Sequence, residues 1–417
     1  MKREHGPYSR IANMNLYPWL LLDLNSFFAS VEQQMNPKLR GKAVAVVPSL
    51  VDTTSVIAAS IEAKRFGIKT GTRVGDAKKM CPGIHLITGS HQIYAEVHGR
   101  IVQAVEKILP VSAVLSIDEM ACELMGSEQT EKRAVELSRE IKSQIRKDAG
   151  DYLSCSIGLA PNRYLAKVGS DMQKPDGLTL IRKQDLPHML HRLKLRDFPG
   201  IGYQMEQRIL RYGVSTVEQL CALSLQDMRL IWGGINGERF YQMIRGEHVD
   251  NPETQTKSIG HSHVLSPDFR NLDKAYLIAQ KLLHKSAARL RKNNFWCADI
   301  SLHVSYLNNE DSFGESRRLI ECCDDLTLLE ALRDMWKTIP RWQRPLKVGV
   351  VLSKLITDQY HTLNLFENPR RRNLAFAVDS INLKYGKGTA QFASMKFLEK
   401  EAAPTRIAFT NIPDFSV

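Results

Sequence analysis

The chain has 417 residues, is 43% hydrophobic, and carries 57 Lys and Arg against 45 Asp and Glu for a formal charge of +12. That length and apolar content exclude a disordered chain and allow two to four domains, while the basic excess points to a polyanionic partner, nucleic acid ahead of membrane. No run approaches the length of a membrane-spanning helix, the start lacks a signal-peptide core, and the seven cysteines show no Cys-x-x-Cys spacing, so a cytoplasmic protein with reduced thiols, no zinc and no disulfides is expected.

Residues 1–16 read as a polar tail. An apolar strand at 18–24 is followed by a helix over Ser26–Met35, which Asn36-Pro37 stops, and Ala43–Pro48 reads as a buried strand, so the opening predicts a βαβ-like unit. Helices follow at Ile61–Phe66 and Tyr94–Ile108, ended by Gly67 and Pro110. Val114-Leu-Ser-Ile-Asp-Glu119 reads as a strand ending in two acids. A helix at Glu131–Lys147, a strand at Leu153–Leu159 and a helix at Asn162–Met172, closed by Lys174-Pro-Asp-Gly177, complete an α/β alternation. After about residue 182 the chain turns helical and basic, with breaks at Gly200, Gly202 and Gly213 that predict a small separate domain. The polar stretch Gly246–Thr256 reads as a linker. A second α/β unit is expected from an extended segment at Ser258–Leu265, helices at Asp273–Asn293 and Leu326–Thr338, and strands at Cys297–Tyr306, Arg317–Cys322 and Val348–Leu355. Residues 358–417 are expected to form a partly ordered tail.

Adjacent carboxylates repel, so Asp118 and Glu119 at a strand end, with Asp23 on another strand, suggest a site for a divalent cation. Hard oxygen ligands suit Mg²⁺, which shares its shell with waters and substrate phosphates. The competing reading is a solvated strand end with Asp23 as a local cap. Lys64, Arg65, Arg163, Lys167 and Lys174 recur in the same region as candidate triphosphate clamps, although any single one taken alone reads better as a surface cation. Phe27 and Phe28 follow Asp23 closely enough for a ring to face a nucleotide sugar, and the core alternative suits Phe27 better. Phe198-Pro-Gly-Ile-Gly202 and the segment through Leu220 match a helix–hairpin–helix, in which Gly200 and Gly202 expose backbone amides to a duplex phosphate; an ordinary interhelical turn is the alternative. The helix from Asp273 carries Lys274, Lys281, Lys285, Arg289, Arg291 and Lys292 with no acid among 274–293, a candidate DNA-binding face or a solvated one.

Taken in order, Asp23-Leu-Asn-Ser-Phe-Phe28-Ala-Ser-Val-Glu32, Ile57–Lys69, Ser116-Ile-Asp-Glu119, Ser156-Ile-Gly-Leu-Ala-Pro-Asn-Arg163-Tyr-Leu-Ala-Lys167 and Lys174-Pro-Asp-Gly177 resemble the Y-family of translesion DNA polymerases. The resemblance covers 18 to roughly 357. It implies a multidomain α/β and α+β right-hand polymerase: palm at 17–27 and 90–181, fingers at 28–89, helical thumb at 182–249, linker at 250–257 and little finger at 258–357. It implies two Mg²⁺ ions, with Mn²⁺ as a substitute, on Asp23, Asp118, Glu119 and the Leu24 carbonyl. It places Phe28 as the steric gate and Lys174 on the triphosphate, with Phe27, Lys64 and Arg65 nearby as further nucleotide contacts. The implied activity is low-fidelity DNA synthesis on primer–template DNA from dNTPs, in damage tolerance and without proofreading.

This chain departs from the family where Ile61-Glu-Ala-Lys64 stands in place of the common Tyr-Glu-Ala-Arg, which removes a hydrogen-bond donor and a bidentate fork. The Glu-Ala-Lys form leans towards the UmuC-like branch, whereas Lys174-Pro-Asp-Gly177 is more similar to the DinB branch. Thr362-Leu363-Asn-Leu365-Phe366 resembles a sliding-clamp docking peptide with Thr362 in place of Gln. A monomer, with an accessory subunit as a further partner, is expected. Competing readings are a catalytically silent DNA-binding accessory and a palm-type nucleotide cyclase.

Overall fold

In the computed structural model, residues 16–250, 255–307, 311–340, 343–362, 368–386 and 388–393 are described. The clamp-like residues Leu363, Leu365 and Phe366 lie outside them. The chain divides at about residue 251 into two units.

At the centre of the first unit is a five-stranded sheet built from β1 (Trp19–Leu24), β5 (Ala113–Val114), β6 (Glu119–Glu123), β7 (Cys155–Ala160) and β8 (Leu178–Leu180), in the order β5-β6-β1-β7-β8. β1 runs antiparallel to both neighbours, and β7 runs parallel to β8. Side chains alternate across a strand, and β1 obeys this rule with apolar residues on both faces. Leu20, Leu22 and Leu24 join one core with Tyr94, Val97 and Ile101 of α4 (His91–Glu106) and Ile141 of α5 (Glu131–Ala149). Leu21 joins a second core with Leu165, Ala166 and Val168 of α6 (Arg163–Met172). The contact of α6 with β7 is between backbones: a Cβ at Gly158 would lie 2.0 Å from the Ala166 carbonyl oxygen and 2.6 Å from the Ser170 nitrogen.

The βαβ-like opening is not what forms. β2 (Val44–Val47) pairs with β3 (Ala58–Ala59) and with β4 (His85–Thr88) in a separate three-stranded sheet. Between β1 and β2 runs α1 (Phe27–Met35). An apolar run announces a buried strand without naming its partner. Here Ala45 and Val47 close a small core of their own with Ala63 of α2 (Ile61–Arg65) and with Val74 and Ala77 of α3 (Val74–Met80).

Four short helices, α7 (Tyr203–Arg211), α8 (Val217–Ala222), α9 (Leu225–Trp232) and α10 (Ile235–Met243), pack around Phe198, Ile209, Leu220, Met228 and Phe240. Asn162 Nδ2 donates to the carbonyls of Met243 and Glu247 at 2.8 Å each, and the Tyr164 hydroxyl donates to the Pro199 carbonyl at 2.9 Å, so both ends of this helical group are tied to the start of α6.

The second unit is an antiparallel sheet of β9 (Ser258–Val264), β10 (Phe295–Tyr306), β11 (Ser312–Cys322) and β12 (Pro345–Thr357), in the order β11-β10-β12-β9. Two helices, α11 (Leu272–Lys292) and α12 (Asp325–Trp336), share its core through Ile278, Leu282, Leu290, Leu328 and Leu332. β11 begins earlier than expected because the polar Ser312–Ser316 stretch is held by the ladder to β10. Where a partly ordered tail was expected, α13 (Pro369–Tyr385) forms.

Arg291 departs furthest from expectation. It belongs to no exposed basic face: its side chain is 3% exposed and is locked between two carboxylates. Nη1 lies 2.8 Å from Asp325 and donates to the Cys323 carbonyl at 2.7 Å, while Nε and Nη2 form a fork on Asp379 of α13 at 2.6 and 2.9 Å. The seven cysteines are free and buried.

Candidate active site

The register of β1 against β6 sets Asp23 directly opposite Glu119, and against β7 opposite Ser156. The apolar run before the acids is not a long strand. β5 ends at Val114, and a bend through Ser116–Asp118 turns the chain into β6, so Asp118 sits in a hairpin bend and Glu119 opens the next strand. Among the bonds that hold that bend, Ser116 Oγ donates to Asp118 Oδ1 at 2.6 Å, the Leu24 N–H donates to the Asp118 carbonyl at 2.8 Å, and the buried His98 of α4 donates from Nδ1 to the Ile117 carbonyl at 2.7 Å. Burial lowers the His98 pKa.

Around the acids lies a cleft of about 260 Å³ whose lining includes Asp23, Leu24, Phe28, Lys64, Asp118, Glu119, Lys167 and Lys174. Lys167 of α6 places its ammonium 2.5 Å from Asp23 Oδ2 and 3.0 Å from Glu119 Oε1. Lys174 lies 2.7 Å from Asp23 Oδ1, and Asp171 joins both lysines at 3.1 and 2.7 Å. Burial raises the pKa of Asp118 and of Glu119; Ser116 and Lys167 pull the first down, and Lys167 the second, against repulsion from Asp23. Burial alone would lower Lys167, but Asp23, Asp171 and Glu119 outweigh it and raise its pKa. Lys64 at the cleft is lowered by desolvation and then by repulsion from Lys174, with Asp23 and Asp118 acting the other way.

The donor set suits a hard cation in kind: three carboxylates, with ammonium groups drawn onto Asp23 and Glu119. It is not a finished cage, because among the described residues no three His, Cys, Asp or Glu side chains are grouped closely enough to hold a metal ion. That openness agrees with Mg²⁺ chemistry, in which one or two carboxylates are supplemented by waters and substrate phosphates.

The aromatic wall comes from α1. Phe27 and Phe28 both line the cleft, although each is at most 4% exposed. Phe28 stacks on Tyr94 with centroids 4.2 Å apart and planes at 12°, and the Tyr94 hydroxyl donates to Glu32 at 2.6 Å. Phe28 is therefore braced from behind.

Not every expected cation is here. Arg65 lines a separate concavity of about 530 Å³ with Glu62, Phe66, Cys81 and His85. Arg163 lies over the Trp19 ring at 5.8 Å, at the opposite end of β1 from Asp23. Missed at the sequence level were Ser26, Ile57, Ala58, Ala59 and Thr70 of the lining, and Asp171. Of these only Asp171 had a signal, its i, i+4 and i, i+3 spacing to two lysines already singled out. Away from the cleft, Gly200 has φ +89 and Gly202 caps α7 without a side chain, as a turn with exposed amides requires. In the second unit Lys281 is half-buried, and Lys285 and Arg289 stand beside His261 of β9, whose pKa falls to about 4 through burial and then through those two cations.

Comparison with known proteins agrees with this arrangement. The impB/mucB/samB family profile matches residues 22–171, the C-terminal domain of the same family matches 256–365, and a DNA polymerase-iota thumb domain matches 196–248. A DNA polymerase IV of Moorella thermoacetica is 32% identical over 88% of this chain and 93% of its own length, and DNA polymerase IV 1 of Halalkalibacterium halodurans is 31% identical over 88% and 90%. Among solved structures, a Y-family DNA polymerase chimera, Dbh-Dpo4(243-245)-Dbh, superposes with a TM-score of 0.68 at 23% identity, covering 81% of this chain and 99% of its own, a likeness of fold. Palm, thumb and little finger are thus the parts of this architecture, and the chain belongs to the Y-family of translesion DNA polymerases.

Proposed function

We propose that this translesion DNA polymerase performs template-directed nucleotidyl transfer in the cleft at Asp23, Asp118 and Glu119, using primer–template DNA and dNTPs. The observation that carries the proposal is the strand register that sets Asp23 opposite Glu119, with Asp118 in the adjoining bend and the Lys167 and Lys174 ammonium groups on the same carboxylates. Asp23, Asp118, Glu119 and the Leu24 carbonyl would hold two Mg²⁺ ions, or Mn²⁺ in their place. Bound there, such ions lower the pKa of a primer 3′-hydroxyl and neutralise charge on the departing pyrophosphate. Lys174 and Lys64 act as cations for the triphosphate, and Lys167 offsets the charge of the acids.

The domains are those implied by the family: palm at 17–27 and 90–181, fingers at 28–89, thumb at 182–249 and little finger at 258–357. The short fingers and the lack of a separate nuclease-like acid cluster in the sequence support low fidelity without proofreading. Gly200 and Gly202 of the thumb, with Lys281, Lys285 and Arg289 of the little finger, contact DNA backbone. Thr362–Phe366 docks on a sliding clamp. Retention of all three acids stands against the silent accessory. Among the described residues no helix is long and apolar enough to cross a membrane.

Purified protein should extend a primed template with Mg²⁺ and dNTPs, should stop on chelation, and should make no cyclic product from nucleotide alone. Failure to extend the primer would sink the proposal. The Phe28→Ala variant tests the sugar gate: discrimination against ribonucleotides should weaken by about 10- to 100-fold in kcat/KM ratio, since one removed packing contact is worth ~1–3 kcal/mol. Unchanged sugar selectivity would take Phe28 out of that role.

A further inference from the structure

Two residues after Asp23, at the end of β1, Asn25 is 4% exposed and makes an unusually complete set of bonds for an amide that is not part of the cleft lining. Its Oδ1 accepts from the Ser154 hydroxyl at 3.1 Å and from the Asp176 backbone N–H at 2.8 Å, and its Nδ2 donates to Ser156 Oγ at 3.0 Å. Ser156, fully buried and opposite Asp23 in the register, passes the connection on: its Oγ accepts from the Gly177 N–H at 3.2 Å and donates to the Gln173 carbonyl at 3.3 Å. These bonds converge on the turn from 173 to 177, the segment that carries Lys174.

That turn is held from two sides. Asp176 has φ +55, a left-handed backbone that a non-glycine residue holds only where its surroundings impose it. From the far side, Lys142 of α5 donates to the carbonyls of Asp176 and Gly177 at 2.6 and 2.9 Å, and Arg146 meets the Asp176 carboxylate at 2.6 Å. On the cleft side the restraint comes from Asn25 and Ser156. Lys174 leaves this turn to reach Asp23 at 2.7 Å, so the strand that supplies the acid and the turn that supplies the cation are joined by one side-chain amide.

From this we infer that Asn25 is a positioning residue for the triphosphate-binding lysine: it holds the 173–177 turn in register with β1, and so fixes the Lys174 ammonium relative to Asp23. The inference rests on the reading of Lys174 as a triphosphate contact. Asn25 has no need to touch the nucleotide. Its amide supplies two acceptor bonds and one donor bond at once, which neither Ala nor an apolar isostere can do. Removing it takes that acceptor from the Asp176 N–H and the Ser154 hydroxyl, and leaves Ser156 Oγ with only its bonds to Gly177 and Gln173.

A double-mutant cycle between Asn25→Ala and Lys174→Ala, read by single-nucleotide insertion on a primed template, tests this. Asn25→Ala should raise KM for dNTP by about tenfold while kcat and the Kd for primer–template stay within about threefold. In the Lys174→Ala background the same change should add no further rise, because Asn25 acts only through that lysine. Asn25→Asp, which retains both acceptor bonds, should recover most of the affinity. An additive cycle, or an unchanged KM in Asn25→Ala, would overturn the inference, as would a raised KM in Asn25→Ala alongside a normal one in Lys174→Ala. Lys174→Ala alone reports on the triphosphate reading, so the two failures are distinguishable. Should Asn25→Ala not fold, Ser156→Ala takes its place in the cycle, and absence of coupling there overturns the inference equally.

Discussion

Primer extension by the Asp118→Ala variant should fall by about 10³-fold or more, equivalent to ~4 kcal/mol of lost transition-state stabilisation. Asp118 is more tightly placed than a solvated acid would be, with Ser116 on one oxygen and its backbone carbonyl held by Leu24. Loss of its charge leaves Asp23 and Glu119 to Lys167, which already bridges them, and to Lys174 on Asp23. The cationic half of the cleft would then outweigh the anionic half. Asp118→Asn keeps the shape and should lose nearly as much activity, because charge rather than bulk is what a hard cation requires. Neither variant should melt earlier than the unaltered chain: burial disfavours the ionised Asp118 and Asp23 repels it, so its removal relieves a strain in the resting fold. Substantial extension by Asp118→Ala, measured on a primed template with Mg²⁺, would remove this residue from the metal site.

The second large effect is on stability and lies in the other unit. Arg291→Ala should destabilise the second unit by about 3–5 kcal/mol, the usual consequence of stripping one partner from a buried ion pair. Asp325, 7% exposed at its side chain, would be left with His284 alone, and Asp379 would lose both prongs of its fork. Burial pushes Asp325 upward, but His284 and then Arg291 prevail and hold its carboxyl below the ordinary value. A depressed carboxylate contributes stability that is full above its unfolded value, about 3.9, and is lost as pH falls through the folded one. In Arg291→Ala burial gains ground, so the deficit should be largest at neutral pH and should shrink as acid protonates Asp325. Hydrogen exchange over α11 and α13, with denaturant melts at pH 7 and pH 4, reads both parts. Equal protection of α13 in the two proteins would show that the clasp does not hold that helix.

The nearness of Asp23, Asp118 and Glu119 was legible in the sequence because adjacent carboxylates repel and few chains carry that repulsion without a use for it, although Asp118 lies in a bend and Glu119 opens a strand where a strand end was expected. What could not be seen was the direction of side chains that depend on packing. Arg163 opens the same helix that carries Lys167, yet it turns to the Trp19 ring. Arg65 follows Lys64 on α2, and adjacent helical residues do not share a face, so one reaches the cleft and its neighbour a different concavity. Arg291 read as one more cation on a basic helix because its acids lie far downstream, on α12 and α13. α13 itself gave no warning: its exposed Leu374, Phe376, Leu383 and Tyr385 do not gather into the stripe by which a surface helix is recognised. Asn25 stands inside the first motif with nothing to mark it, since an amide shows its value only when its partners are in place.

The close approach at Gly158 bears on how fast the cleft can respond. Lys167 and Asp171 ride on α6, and α6 meets β7 at a point where one added carbon would collide with backbone. A helix seated in that way has no slack for sliding or tilting by an ångström. For the metal-bound triphosphate proposed above to enter, the ammonium groups now on Asp23 and Glu119 would give way by turning about their own side-chain bonds. Rotamer changes of that kind take picoseconds to nanoseconds, whereas shifts of whole elements take microseconds or longer. Under the proposed function, exchange of one set of cations for another in this cleft would be a local event, faster than any movement of whole elements.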